Sequence, residues 1–107
     1  MAKDDLQGAL DLLVLKTLVR EPIHGYGLVR RIQQITDGVL TVEEGSLYPA
    51  LHRMEMAGWI EPEWKMTEAG RRAKYYGLTA LGKKQLAVEE KNWERVTAAI
   101  AKVLRLA

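Results

Sequence analysis

Three breakers constrain this chain before any other feature: Pro22, the pair Asp37-Gly38, and Gly58. They cut the first 58 residues into three helical segments, each too short to be stable alone in water. The first segment carries the stripe Leu6, Leu10, Leu13, Val14, Thr17, Leu18 at helical spacing. Asp4 and Asp5 precede it and Lys16 and Arg20 close it, matching the helix dipole. The second starts near Gly25, buries Leu28, Val29, Ile32 and Ile35, and leaves Arg30, Arg31, Gln33 and Gln34 in solvent. After an extended link, Val39 to Val42, a third helix presents Leu47, Leu51 and Met54 on one face. Two starts are compatible with it. Ser46 as N-cap puts Pro49 in the tolerated first turn, whereas a start near Glu43 leaves the carbonyl of Gly45 without a donor.

Beyond Gly58, Trp59 to Met66 reads as a strand with Ile60, Trp64 and Met66 alternating, and Pro62 marks it as an edge. Thr67 to Arg72 is a turn and Ala73 to Leu78 a returning strand. Thr79 then caps a last helix running almost to Ala107. The order helix, helix, helix, strand, strand, helix predicts a mostly α, α+β fold. It is a winged helix-turn-helix with a two-stranded wing over residues 1–79, plus a C-terminal dimerisation helix over 80–107. The 107 residues support one domain, burying roughly 60–70% of the unfolded surface. There is no cysteine, so disulfides and thiolate zinc sites are excluded. The longest aliphatic run, Leu12 to Leu15, is far too short for a membrane span, and the N-terminus does not read as a signal peptide. A cytoplasmic location is expected.

Net charge is only +2, so the placement of charge decides. The third helix turns Ser46, Tyr48, Pro49, His52 and Arg53 away from its apolar face. Such hydroxyl, imidazole and guanidinium tips suit base edges and phosphates in a major groove, though a solvated face is the plainer alternative. From Ala69 to Val88 there is no acid, but Arg71, Arg72, Lys74, Lys83 and Lys84 occur. A basic hairpin tip fits a minor groove or phosphates, and Lys83 and Lys84 oppose the dipole of the last helix unless an anion is bound. Basic turns also occur simply for solubility.

The last helix places Leu86, Trp93 and Ile100 seven apart, with Val96 and Val103 three beyond the latter two. This is a heptad seam broken once, by Glu89. A second copy of the chain or the first helix can cover it. Other chemistry is poorly supported. Gly25-Tyr26-Gly27 lacks a third glycine and a preceding strand, Glu43-Glu44 point to different faces, and His24 and His52 have no third ligand nearby. Neither an enzyme, a metal site nor a cofactor is expected.

These residues closely resemble the PadR family of bacterial transcriptional regulators. The match runs through His24-Gly25-Tyr26-Gly27, Gly45 to Leu51, Gly58-Trp59-Ile60 and Arg71 to Thr79. The single C-terminal helix resembles the compact subgroup, and in particular its acidobacterial-type branch. The resemblance implies a homodimeric winged helix whose usual activity is repression released by a small ligand, and two recognition helices related by a dyad predict a palindromic double-stranded operator. It places Tyr48, Pro49, His52 and Arg53 toward DNA, Lys65, Arg71, Arg72 and Lys74 in the wing, and Tyr26 on a phosphate. It also sets Trp93 where some compact members take flat aromatic compounds. Gly77 departs from the pattern, where relatives often carry arginine. Two competing readings are a winged-helix protein-interaction module without DNA binding, and single-strand binding by stacking on Trp59, Trp64 and Tyr75. At strand spacing those tryptophans read first as core or edge packing.

Overall fold

The computed structural model describes residues 8–106. Its elements are α1 (Gly8–Thr17), β1 (Ile23–His24), α2 (Gly25–Ile35), α3 (Glu44–Met56), β2 (Ile60–Met66), β3 (Arg72–Leu78) and α4 (Ala80–Leu104). Asp4, Asp5 and Leu6 lie outside the described residues. Gly38 and Gly58 act as expected, both adopting positive φ, at 79° and 81°, where a side chain is strained, whereas α1 ends at Thr17, short of Pro22. α3 takes the earlier of its two starts. The N–H groups of Ser46 and Leu47 already donate to the carbonyl of Glu43, at 3.0 and 2.9 Å. Pro49 therefore sits inside the helix and cannot serve the carbonyl of Gly45.

One core holds all the elements together. Val14, Leu15 and Leu18 from the α1 region meet Leu28 of α2, Leu47, Leu51 and Met54 of α3, Ile60 and Tyr76 of the sheet, and Leu86 of α4. The wing gains a third strand at its base, giving the antiparallel order β1-β3-β2 with Ile23 opposite Tyr76 and His24 opposite Tyr75. Two residues are too few to show a period of two, so this strand has no sequence signature. Pro62 sits, as an edge residue should, on the outer strand β2.

The Thr79 hydroxyl accepts from the Gly82 N–H at 2.9 Å and donates to the Gly58 carbonyl at 2.6 Å, so the cap of α4 also fixes its direction. α4 then runs along α1. This alters the expected seam, because Leu86 and Val96 are buried within the chain. Ile100, Val103 and Leu104 remain exposed. Ile35, expected on the buried face of α2, is exposed as well. Among the described residues, no helix is long and apolar enough to cross a membrane.

Candidate nucleic-acid interface

With Leu47, Ala50, Leu51 and Met54 turned into the core, α3 exposes Ser46, Tyr48, Pro49 and His52 on its other side. Tyr48 reaches across to the start of α2. A Cβ added at Gly25 would lie 2.8 Å from its Cε1 and 2.9 Å from its Oη, so only glycine lets the ring rest there. Next to it, Tyr26 is exposed, with the Arg30 guanidinium 5.8 Å from its ring centre. His24 has a structural part in the fold. Its Nδ1 accepts the Gly27 N–H at 3.0 Å and caps α2, while its ring meets Tyr75 edge-on at 5.2 Å. Gly25→Ala should therefore displace a ring tip rather than the backbone. We expect the melting temperature to move by only a few degrees while duplex affinity falls, measured side by side by calorimetry and gel shift.

Arg53 is also engaged within the fold. Its Nη2 and Nη1 donate to Oδ1 and Oδ2 of Asp11 on α1 at 2.7 and 3.0 Å, and Asp11 has 0% exposure. This bidentate pair ties α3 to α1, while the Arg53 side chain stays half-exposed on the helix face. The hydrogen bond to Asp11 raises the pKa of Arg53 further, against the desolvation that lowers it, with Asp11 and Glu89 adding to the rise through their charge. Glu89 is 6% exposed and accepts from Gln85 Nε2 at 2.9 Å. The acid that broke the apolar seam of α4 thus faces the guanidinium. An acid within the apolar stripe of α1 was the available signal for this pair.

In the wing, Arg71 and Arg72 are exposed near the tip. Lys74 binds Glu55 of α3 at 3.0 Å, tying the hairpin to the helix beside it. That contact raises the Lys74 pKa, and burial raises that of Tyr76. For both, the folded state favours the protonated form. Their contribution to stability is full below the ordinary lysine and tyrosine ranges and is lost as pH rises through the folded values. Lys65 lies 3.7 Å from Glu63 and over the Tyr75 ring, and Arg72 stacks 5.2 Å from the centre of the Trp64 ring. Trp64 itself is 56% exposed, contrary to the expected core or edge packing.

A groove of ≈ 410 Å³ runs between α1, α2 and α4, lined by Leu12, Leu13, Ile32, Ile35 and Trp93 with Glu90 among its polar residues. Among the described residues, no cluster of three or more His, Asp or Glu could hold a metal ion.

A helical trio with an exposed polar and aromatic helix face, followed by a cationic hairpin, is a winged helix-turn-helix, the fold of a class of DNA-binding regulators. Comparison narrows the class. The chain belongs to the transcriptional regulator PadR-like family, whose model matches residues 14–88. It is 30% identical over 93 residues to protein X of Lysinibacillus sphaericus, covering 87% of this chain and 85% of that protein. It is 34% identical over 89 residues to transcriptional regulator YqjI of Escherichia coli, of whose length it spans only 40%. Among solved structures, a transcriptional regulator from Clostridium thermocellum superposes with a TM-score of 0.82 at 29% identity, covering 94% of this chain and 97% of that one. A PadR-like regulator from Bacillus cereus gives 0.77 at 30%, covering 95% and 97%. The matched family and the two solved structures are of transcriptional regulators, not of enzymes.

Proposed function

We propose that the chain is a cytoplasmic homodimeric repressor that binds a palindromic DNA duplex. The observation carrying this reading is the exposed Ser46, Tyr48, Pro49 and His52 face of α3 next to a cationic hairpin. In this reading His52 and Ser46 meet base edges, Tyr26 and Tyr48 brace the backbone, and Lys65, Arg71, Arg72 and Lys74 serve phosphates. Trp93, Ile100 and Val103 form the dimer contact, the last two being exposed on the free end of α4. A flat aromatic effector would lie against Trp93 in its groove. The half-sites would be about one helical turn, roughly 34–36 Å, apart.

The test is a duplex titration across salt concentrations, with mass measured by light scattering. Each phosphate contact contributes about 0.9 to the slope of log K against log salt, so replacing both Arg71 and Arg72 with alanine should reduce it by nearly two. The loss should be alike on specific and random duplexes, whereas His52→Ala should change which sequence is preferred. An unchanged slope would remove the wing from the interface. A wild-type chain that binds no duplex would favour the protein-docking alternative, and a monomer at micromolar concentration would remove the dimer.

A further inference from the structure

We infer that Trp64 and Met66 form an apolar wedge on the wing, seated against the deoxyribose walls of a DNA minor groove, with Arg72 bridging to phosphate. The inference rests on the DNA-binding reading above and adds to the wing a contact made by apolar surface. Register carries it. In the antiparallel pairing Ile60 faces Leu78, Pro62 faces Tyr76, Trp64 faces Lys74 and Met66 faces Arg72. Directly opposed residues share a face, and successive residues alternate. Ile60 and Tyr76 are buried, so this is the face that packs on the core at its base. Further out, where the hairpin overhangs the core, the same face presents Trp64 at 56% and Met66 at 64% exposure.

The acids of β2, Glu61 and Glu63, alternate onto the opposite face, where Glu63 lies 3.7 Å from Lys65. The wedge face carries two cations, Lys74 and Arg72, and no acid of β2. Lys74 is held by Glu55 at 3.0 Å on the side of α3, and Arg72 stacks on the indole at 5.2 Å. Glu68 sits in the turn beyond β2, followed by Arg71. The occupant must therefore offer an apolar surface bordered by anions. A minor groove about 6 Å wide has sugar walls edged by phosphates and admits single side chains rather than a helix. The stacked guanidinium is already held beside the ring, ready for a phosphate at its free edge.

The salt dependence separates the wedge from the cations around it. We expect Trp64→Ala to weaken duplex binding about tenfold or more, in the range seen for aromatic contacts to nucleic acid. The salt slope should not change, because an indole releases no counterions. Arg72→Ala should lower the slope by about one, and Trp64→Phe should keep most of the affinity. In the 5-fluorotryptophan-labelled wild type, the Trp64 resonance, assigned by Trp64→Phe, should shift on adding a random-sequence duplex. The inference falls if Trp64→Ala binds within twofold of wild type, if its slope drops as in Arg72→Ala, or if the resonance stays put at saturation. A larger shift with a single strand would assign the ring to unpaired bases and also overturn it. A silent Trp64 in a protein that does bind duplex removes only the wedge. Failure of the wild type to bind any duplex removes the DNA-binding reading along with it.

Discussion

Arg53→Ala is expected to destabilise the fold by about 2–4 kcal/mol, below the full cost of breaking a buried ion pair because the Arg53 side chain is half-exposed while Asp11 is fully buried. The Asp11 carboxylate has 0% exposure, and both of its oxygens accept from the Arg53 fork. Without the guanidinium, that charge stays in the core beside the buried Glu89. Arg53→Lys should recover only part of the loss, because an ammonium cannot span both oxygens. The double change Asp11→Leu with Arg53→Met should be milder than Arg53→Ala, since it removes the buried Asp11 charge with its partner and leaves only Glu89, still held by Gln85. Urea unfolding of the four proteins measures this directly. A single-mutant loss under about 1 kcal/mol would mean the pair is an ordinary surface bridge. Because the pairing raises the Arg53 pKa, the stabilisation is complete below the usual arginine range and is lost only as pH rises beyond it. Stability should therefore show no neutral-pH dependence from this group. Weakened DNA binding by Arg53→Ala, measured where the variant is fully folded, would reflect a displaced α3.

Gly82→Ala should also be severe, and in the direction opposite to helix propensity. Alanine is favoured over glycine in a helix by about 1 kcal/mol. Here, however, the new Cβ would overlap the carbonyl oxygen of Trp59 and lie 2.7 Å from Leu78 Cδ1. A carbonyl in the main chain cannot swing aside as a ring tip can, so α4 must back away from the start of β2. That movement strains the Thr79 cap and pulls at Leu86 in the core. Overpacking of this kind costs about 1–3 kcal/mol and occasionally more, and the backbone clash puts Gly82→Ala at the upper end. At about 4–8 °C per kcal/mol, the melting temperature should drop by roughly 10 °C or more. An unchanged or raised midpoint would show that α4 has room to spare.

Most element boundaries were legible in the sequence because their causes are local. Gly38 and Gly58 stop helices through their own dihedral freedom, and Thr79 caps α4 with an oxygen three residues from the N–H it accepts. Period and register likewise gave the hairpin. The partners across the fold were a different matter. Nothing near Arg53 in the chain points to Asp11, 42 residues away, because that contact exists only where α1 crosses α3. The same crossing explains why Glu89 interrupts the seam of α4, and the packing of α4 on α1 explains why Leu86 and Val96 turn inward. The close approach of Gly82 to the carbonyl of Trp59 likewise comes from tertiary packing alone. The chain's own periodicity determined where it bends and which faces are apolar. Tertiary packing decided which of those faces meet, because desolvation and ion pairing depend on how helices cross and not on their separation in sequence.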